Sequence, residues 1–164
     1  MSTPDPKVSE MAAVARDYCD LIDHFHGGSS LERVAHLLPR LHAAIVRLDA
    51  PPVKYNYYPL PDYDVRFDLF SRLRRSLGKW DSYWLEFDAD HVGPQMSGSL
   101  ADDLTDIYFD LKYGLSLWDK RQPEKAWGLW SSSFHLHWGQ HLVDAERHLY
   151  SLAARHQMNG AGNW

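Results

Sequence analysis

Apolar side chains recur at three- and four-residue steps along most of the chain. This spacing puts them on one face of an α-helix. The pattern predicts five amphipathic helices, which span about 7–26, 30–49, 64–77, 99–120 and 123–157. Each such helix must bury its apolar face against another element. The predicted fold class is therefore all-α, a compact bundle of about five amphipathic helices.

The helix boundaries follow from residues that start or end helices. Gly27 and Gly28 are expected to end the first helix, because glycine adopts the left-handed closing conformation at little cost. Residues 29–32 read Ser-Ser-Leu-Glu and predict a capping box that opens the second helix. Pro39 lies inside the second helix and predicts a kink there. We expect one domain over 1–164, with frayed tails at 1–6 and 158–164.

Two segments lack helical periodicity. Residues 50–64 contain four prolines and four tyrosines, so we expect a Pro/Tyr-rich loop that is either packed on the surface or used in binding. Residues 80–87 alternate enough to resemble a strand. No second strand is evident in the sequence, and a lone strand is unstable. An extended aromatic lid segment over the bundle is the prediction for this stretch.

The fifth predicted helix carries two apolar stripes. One contains Trp130, Phe134 and Trp138, and we expect it to face the core. The second lies opposite. A helix that is apolar on two sides is either central in the bundle or is central and also forms a homodimer or another protein contact. The interface candidates are this second stripe and the loop tyrosines, namely Leu129, Leu136, Val143, Tyr150, Tyr55, Tyr57 and Tyr58.

Polar residues on the fourth and fifth helices form the main candidate site. Asp103, Asp106 and Asp110 fall along one flank of the fourth helix's leucine stripe, whereas Asp102 is expected to be solvated on the far side. Carboxylates beside a core need partners, because a buried unpaired charge is costly. The fifth helix supplies candidates at three- and four-residue spacing, namely His137, His141, Asp144 and His148.

Two interpretations of this polar cluster stay open. In one, His137 and His141 bind a divalent metal together with Asp106 and Asp110, and the metal activates water for hydrolysis. In the other, the same residues form a hydrogen-bonded network that fixes the register of the helices. The sequence contains neither a Glu-x-x-His nor a His-Glu-x-x-His motif, which favours the network. No other cofactor is predicted.

Arg66 on the third helix also has two interpretations. It is either the cation that the acidic flank needs or a side chain that extends outward to solvent, and extension to solvent is the ordinary behaviour of arginine. Cys19 lies at the edge of an apolar stripe without a nearby base, which is typical of a buried filler residue.

Composition excludes several functional classes. The 22 acidic residues exceed the 17 basic ones, which disfavours a nucleic-acid partner. No stretch approaches the roughly 18 consecutive apolar residues of a membrane helix. A single cysteine cannot form an internal disulfide, and residues 1–7 do not resemble a secretory signal. A cytoplasmic protein is expected.

Two stretches resemble a bacterial family of helical proteins, domain of unknown function 5063. They are the acidic helix DDLTDIYFDLK at 102–112 and the closing-helix segment FHLHWGQH at 134–141, and the WLEFD segment at 84–88 also fits. The resemblance implies a small helical bacterial protein. It implies no activity, but it makes motif positions of Asp103, Asp106, Asp110, His137 and His141.

These observations leave three functional hypotheses. The absence of a catalytic signature and the second apolar stripe favour a non-enzymatic protein-interaction module that binds itself or another protein. The alternative is a metal-binding, hydrolase-like protein that uses the Asp/His cluster. The third is an antitoxin or immunity-type protein, which a small, acidic and aromatic chain also fits.

Overall fold

The computed structural model describes residues 3–85 and 97–155. Its helices are α1 (Pro6–Asp23), α2 (Gly27–Val46), α3 (Tyr63–Leu77), α4 (Leu100–Asp119), α5 (Pro123–Ser133) and α6 (Gly139–Ala154). A short 3₁₀ turn (Gly78–Trp80) follows α3, a π-helical turn (Phe134–Trp138) joins α5 to α6, and two strands, β1 (Ser82–Trp84) and β2 (Ser97–Ser99), complete the fold. Within these residues, no helix is both long and apolar enough to cross a membrane.

The all-α bundle is confirmed, and α4 is its central helix. It packs against α1, α3, α5 and α6. The predicted leucine stripe of α4 lies in the core, with Leu100, Leu104, Ile107 and Leu111 fully buried. Two carboxylates of α4, Asp103 and Asp106, are buried as well. The position of α4 therefore decides where its carboxylates go.

The second helix begins earlier than the capping box predicts. Gly27 has a φ of 62° and is already the first residue of α2. Ser30 is one turn inside the helix, where its Oγ accepts a hydrogen bond from the His26 backbone N–H at 3.0 Å. The capping-box prediction was wrong, because the helix already begins at Gly27. Ser30 therefore bonds to the His26 N–H from inside the helix and not from the N-cap position. The helix then continues through Pro39 without a break.

The segment after α3 is a strand, contrary to the expectation that it would lack a partner. β1 pairs antiparallel with β2, and Tyr83 lies opposite Gly98. We call these two strands the ribbon. Asp81 joins the ribbon to α4, because its Oδ1 accepts from the Ser99 hydroxyl at 2.9 Å and from the Ala101 N–H at 2.7 Å. The remainder of the predicted lid, 86–87, and the predicted tail at 158–164 lie outside the described residues.

The fifth predicted helix is continuous in helical backbone but contains the π turn. The Gly139 N–H bonds to the carbonyl of Phe134, five residues earlier. A π turn adds one residue to the helix and so shifts the phase of everything that follows. Buried positions run through Ala126 and Trp130 before the turn, and through Trp138 and Leu142 after it.

This phase shift breaks up the predicted outer stripe. Leu129 is buried at 2% exposure, whereas Leu136 is 73% exposed. In a straight α-helix these residues, seven apart, would share a face. The prediction that Leu129 belongs to an interface was wrong, because Leu129 is buried on the same side of α5 as Ala126, Trp130 and Ser133. Val143 and Tyr150, which follow the turn, are exposed as expected.

Gly139 allows the π turn to form. A Cβ added at this position would overlap the carbonyl oxygen of Phe134, to which the Gly139 N–H is bonded. Glycine to alanine normally stabilises a helix by about 1 kcal/mol. At this position we expect the opposite sign.

We therefore predict that Gly139→Ala lowers the free energy of unfolding by about 1–3 kcal/mol, as overpacking does. Urea denaturation monitored by circular dichroism measures the change. Lys125→Ala, at an exposed position of α5, is the control and should change stability by less than about 0.5 kcal/mol. A Gly139→Ala protein more stable than the wild type would show that the π turn does not require glycine.

Candidate functional site

The polar seam of the bundle lies where α3, α4 and α6 meet. Its carboxylates come from α4, at Asp102, Asp103, Asp106 and Asp110. Asp103 and Asp106 are buried, at 4% and 9% exposure. Since an uncompensated charge at such positions is costly, positive partners are required. Arg66, His137 and His141 are those partners.

Arg66 pairs with two carboxylates at once. Its Nη2 lies 2.8 Å from Asp102 Oδ1 and 2.7 Å from Asp106 Oδ1, and its Nε donates to Asp106 Oδ1 at 2.9 Å. The extension of Arg66 to solvent was the wrong alternative. Asp102 keeps 43% of its side chain exposed, as expected, and it also pairs with Arg66. Both Arg66 pairs form because α3 packs against α4.

Each imidazole of the seam is held by a carboxylate through Nδ1. His141 Nδ1 lies 2.8 Å from Asp103 Oδ1, and His137 Nδ1 lies 2.7 Å from Asp110 Oδ2. An ionised carboxylate only accepts hydrogen bonds, so each Nδ1 carries the proton and donates it. When the imidazole is neutral, its Nε2 then has a free lone pair.

The two Nε2 atoms lie near the same oxygen. Asp106 Oδ2 lies 3.3 Å from His141 Nε2 and 4.0 Å from His137 Nε2. One ligand atom from each of these three residues falls within 4.8 Å of the others. We call Asp106, His137 and His141 the triad. Asp106 Oδ1 is held by Arg66, which fixes the direction of Oδ2.

The charges of the seam change the pKa of its members. The hydrogen bond to Asp110 raises the pKa of His137. Burial lowers the pKa of His141, but the hydrogen bond to Asp103 and the charge of Asp106 outweigh burial, so the pKa is raised. Burial also raises the pKa of Asp103 against the hydrogen bonds that His141 and Tyr83 donate to it. In the absence of a metal, the seam therefore attracts protons to its imidazoles.

Three predicted members of the cluster have other roles. Asp110 holds His137 from outside the triad. Asp144 accepts from Gln140 Nε2 at 3.0 Å and lines the cavity beside His141. His148 donates from Nε2 to the Trp80 carbonyl at 2.7 Å, and burial lowers its pKa. His148 lies on α6 two turns after His141, but its hydrogen bond is made to the 3₁₀ turn that follows α3.

Tyr83 is a site residue that the sequence did not single out. Its hydroxyl donates to Asp103 Oδ2, so Asp103 is bonded on both oxygens. Gly98 faces it across the ribbon. A glycine paired with a tyrosine was the available signal, but strands of three residues are too short to show a periodic pattern that would reveal the pairing.

The surroundings of the triad differ on its two sides. The His137 side chain is 49% exposed, so this edge is open to solvent. Behind His141 lies a cavity of about 360 Å³, which Asp103, Asp81, Arg74 and Tyr83 also line. Solvent therefore reaches the triad at His137, and a second open space borders His141.

The remaining candidates lie away from the triad. Tyr57 is 67% and Tyr58 36% exposed, whereas Tyr55 is half-buried against α5. Cys19 is buried, and burial raises the pKa of its thiol to about 12. A thiol with so high a pKa is not a nucleophile at neutral pH, which agrees with its interpretation as a filler.

The raised pKa values of His137 and His141 predict how the stability of the metal-free protein depends on pH. A histidine whose folded pKa exceeds its unfolded value stabilises the fold fully below about pH 6.5, and this contribution is lost as the pH rises through the folded value. The stability advantage of wild type over His141→Gln should therefore be larger at pH 6 than at pH 9. Thermal melts in a metal chelator over this range provide the measurement.

His137→Gln is expected to behave in the same direction. If neither substitution alters the melting temperature or its pH dependence, the pairs His137–Asp110 and His141–Asp103 do not form in solution.

Comparison with known proteins places the chain in a family. A comparison with curated proteins finds no match. A solved structure, that of protein BF1032 from Bacteroides fragilis, has the same fold, with a TM-score of 0.74 at 21% identity over 90% of this chain and 92% of that chain. The family model described as "Domain of unknown function (DUF5063)" matches residues 2–155. With its central acidic helix and its histidine-bearing closing helix, the chain belongs to the DUF5063 family.

Proposed function

We propose that this protein binds a divalent transition metal at the triad of Asp106, His137 and His141. The observation that carries the proposal is the convergence of two imidazole nitrogens and one carboxylate oxygen within 4.8 Å. Two histidines and one carboxylate are a common ligand set for zinc and non-haem iron.

The separations within the triad suit a metal ion. Zinc binds nitrogen and oxygen at about 2.0–2.2 Å, so two ligand atoms of a tetrahedral site lie roughly 3.3–3.5 Å apart. His141 Nε2 and Asp106 Oδ2 are already 3.3 Å apart. His137 Nε2 is 4.0 Å from the same oxygen, and it belongs to the half-exposed imidazole of the pair. A bound metal would require the His137 imidazole to move closer to the other two ligand atoms.

The outer contacts of the triad also support a metal. In metal sites, a ligating histidine usually donates its other N–H to a carboxylate or a carbonyl, which fixes the ring and makes it a better ligand. Asp103 and Asp110 do this for both imidazoles. Both rings are anchored at Nδ1, and both Nε2 atoms lie within 4.0 Å of Asp106 Oδ2.

The charge of the seam provides a further argument. Four carboxylates and Arg66 carry a net charge of −3 when both histidines are neutral. Two protons on the histidines, or one divalent ion between them, bring this charge to −1. Protons and a metal therefore compete for the same two Nε2 atoms, and metal affinity should rise with pH.

Three protein ligands leave coordination positions for water, as in catalytic rather than structural zinc sites. Zinc lowers the pKa of bound water to about 7 and so supplies a nucleophile at neutral pH. The exposed edge at His137 gives solvent a route to the ion. We therefore assign the protein to metal-dependent hydrolytic chemistry as its functional class.

Metal binding can be measured directly on protein without a histidine tag, after treatment with a chelator. Isothermal titration with zinc is expected to give one equivalent bound per chain. His141→Gln removes one of three ligands and should weaken binding by more than about 100-fold, since loss of a supporting partner alone costs 10–100-fold.

His42→Gln is the matched control for this experiment. His42 is also paired with a carboxylate, Glu146, at 2.9 Å, but lies outside the triad. Its substitution should leave zinc binding unchanged. A wild-type chain that binds neither zinc, cobalt nor nickel would overturn the proposal.

A second function, homodimerisation, is supported by three apolar side chains on the closing helix, by which we mean α5, the π turn and α6 together. Leu136, Val143 and Tyr150 recur at seven-residue spacing and are 73%, 47% and 74% exposed. In an antiparallel pair of these helices, Val143 would meet its own copy and Leu136 would meet Tyr150. Such self-complementarity is what a two-fold interface requires.

We predict that Val143→Glu converts a dimer to a monomer, because two carboxylates would meet at the two-fold axis. Light scattering at high protein concentration reports the mass. Val46→Glu introduces the same charge at another exposed valine, 59% exposed on α2, and should leave the mass unchanged. A wild-type protein that is monomeric throughout would reject the dimer but leave the metal proposal intact.

A further inference from the structure

The ribbon contributes one side chain to the polar seam, that of Tyr83. Its hydroxyl is the donor to Asp103 Oδ2, while Asp103 Oδ1 accepts from His141 Nδ1. Tyr83 is thus separated from the triad by a single carboxylate. The chain of contacts runs from the ribbon through Asp103 to His141 and ends at Asp106 Oδ2, 3.3 Å from His141 Nε2.

The ring of Tyr83 is held on several sides. It stacks on His148 with ring centroids 4.6 Å apart, and the Arg147 guanidinium lies 5.8 Å from its centroid. On the ribbon side it covers Gly98 so closely that a Cβ there would overlap the ring. Only glycine leaves this space. The ring that carries the hydroxyl to Asp103 is therefore in contact with His148 on one side and with Gly98 on another.

Asp103 needs this second bond to keep its orientation. It is 4% exposed, and a buried carboxylate oxygen without a donor is costly. With Tyr83 in place, one oxygen is committed to the ribbon and the other to His141. Without the hydroxyl, the carboxylate would be free to rotate or to take up a proton, and either event would loosen His141 Nδ1.

We infer that Tyr83 is a positioning residue for the metal ligand His141, and that it acts through Asp103. This inference rests on the proposed metal site. The ribbon would then do more than cap α4, because its Tyr83 would hold Asp103 in the orientation that positions His141.

Zinc affinity and cobalt absorption test the inference. Tyr83→Phe removes the hydroxyl and retains the ring against Gly98 and His148. We expect its dissociation constant for zinc to rise about 10–100-fold, the usual cost of losing an outer contact of a ligand. At saturating cobalt, the visible absorption bands should shift as well, since they report the geometry at the ion and not the stability of the fold.

Tyr108→Phe is the matched control. Tyr108 lies on α4, and its hydroxyl also donates to an aspartate, Asp23, at 2.8 Å. Asp23 is not a member of the triad and does not hold one. It should retain wild-type zinc affinity and the wild-type cobalt spectrum. Gly98→Ala is a second variant, which keeps the hydroxyl but displaces the ring, and it should weaken zinc binding as Tyr83→Phe does.

The outcomes separate this inference from the proposed function. If the wild type binds zinc and Tyr83→Phe shows the same affinity and the same cobalt spectrum, the positioning role is wrong and the metal site stands. The positioning role is also wrong if Tyr108→Phe weakens binding as much as Tyr83→Phe does. If the wild type binds no metal, the proposed function fails, and the positioning role fails with it. Gly98→Ala decides the question should Tyr83→Phe not fold.

Discussion

The structure depends on the cost of burying carboxylates on a central helix. α4 must place its leucines in the core, and this brings Asp103 and Asp106 below the surface with them. A carboxylate in such a place must be met by positive charge or by donors, or it will not stay ionised. Three neighbouring elements provide these partners. α3, the ribbon and the closing helix each contribute at least one side chain that bonds to a carboxylate of α4.

The compensating positive charge is unevenly distributed along the seam. Arg66 places a permanent positive charge beside Asp102 and Asp106. The histidines give a charge only when protonated. Once they lose their protons, the seam therefore lacks two positive charges at one place, between two Nε2 atoms and an oxygen. In the proposed function, a divalent cation would supply both charges there and would use the lone pairs that proton loss exposes.

The π turn adjusts the closing helix to this arrangement. Before the turn, α5 presents Trp130 to the core, and after it the helix presents Trp138 and Leu142. The extra residue leaves His137 half-exposed beside Asp110 instead of buried under the core stripe. Such turns often lie at functional sites because they re-aim side chains without ending a helix. Gly139 permits the turn, since any larger residue would strike the Phe134 carbonyl.

Local patterns in the sequence were sufficient to predict the helices and the candidate residues, whereas contacts between elements required the tertiary structure. Apolar periodicity predicted the helices, because a buried face must repeat at the helical period whatever lies opposite it. The acidic flank of α4 and the histidine spacing were predictable for the same reason, as each lies within one helix. Whether Arg66 met the carboxylates or the solvent depended on how α3 packs, and the ribbon depended on pairing two strands that are each too short to recognise alone.

The π turn moved Leu129 and Leu136 to different faces, since one inserted residue changes the phase of a helix and leaves no periodic signal. The sequence by itself determined which residues would carry charge beside the core. The packing of α3, the ribbon and the closing helix on α4 decided that two imidazoles and one carboxylate would converge, because convergence is set by distances between elements.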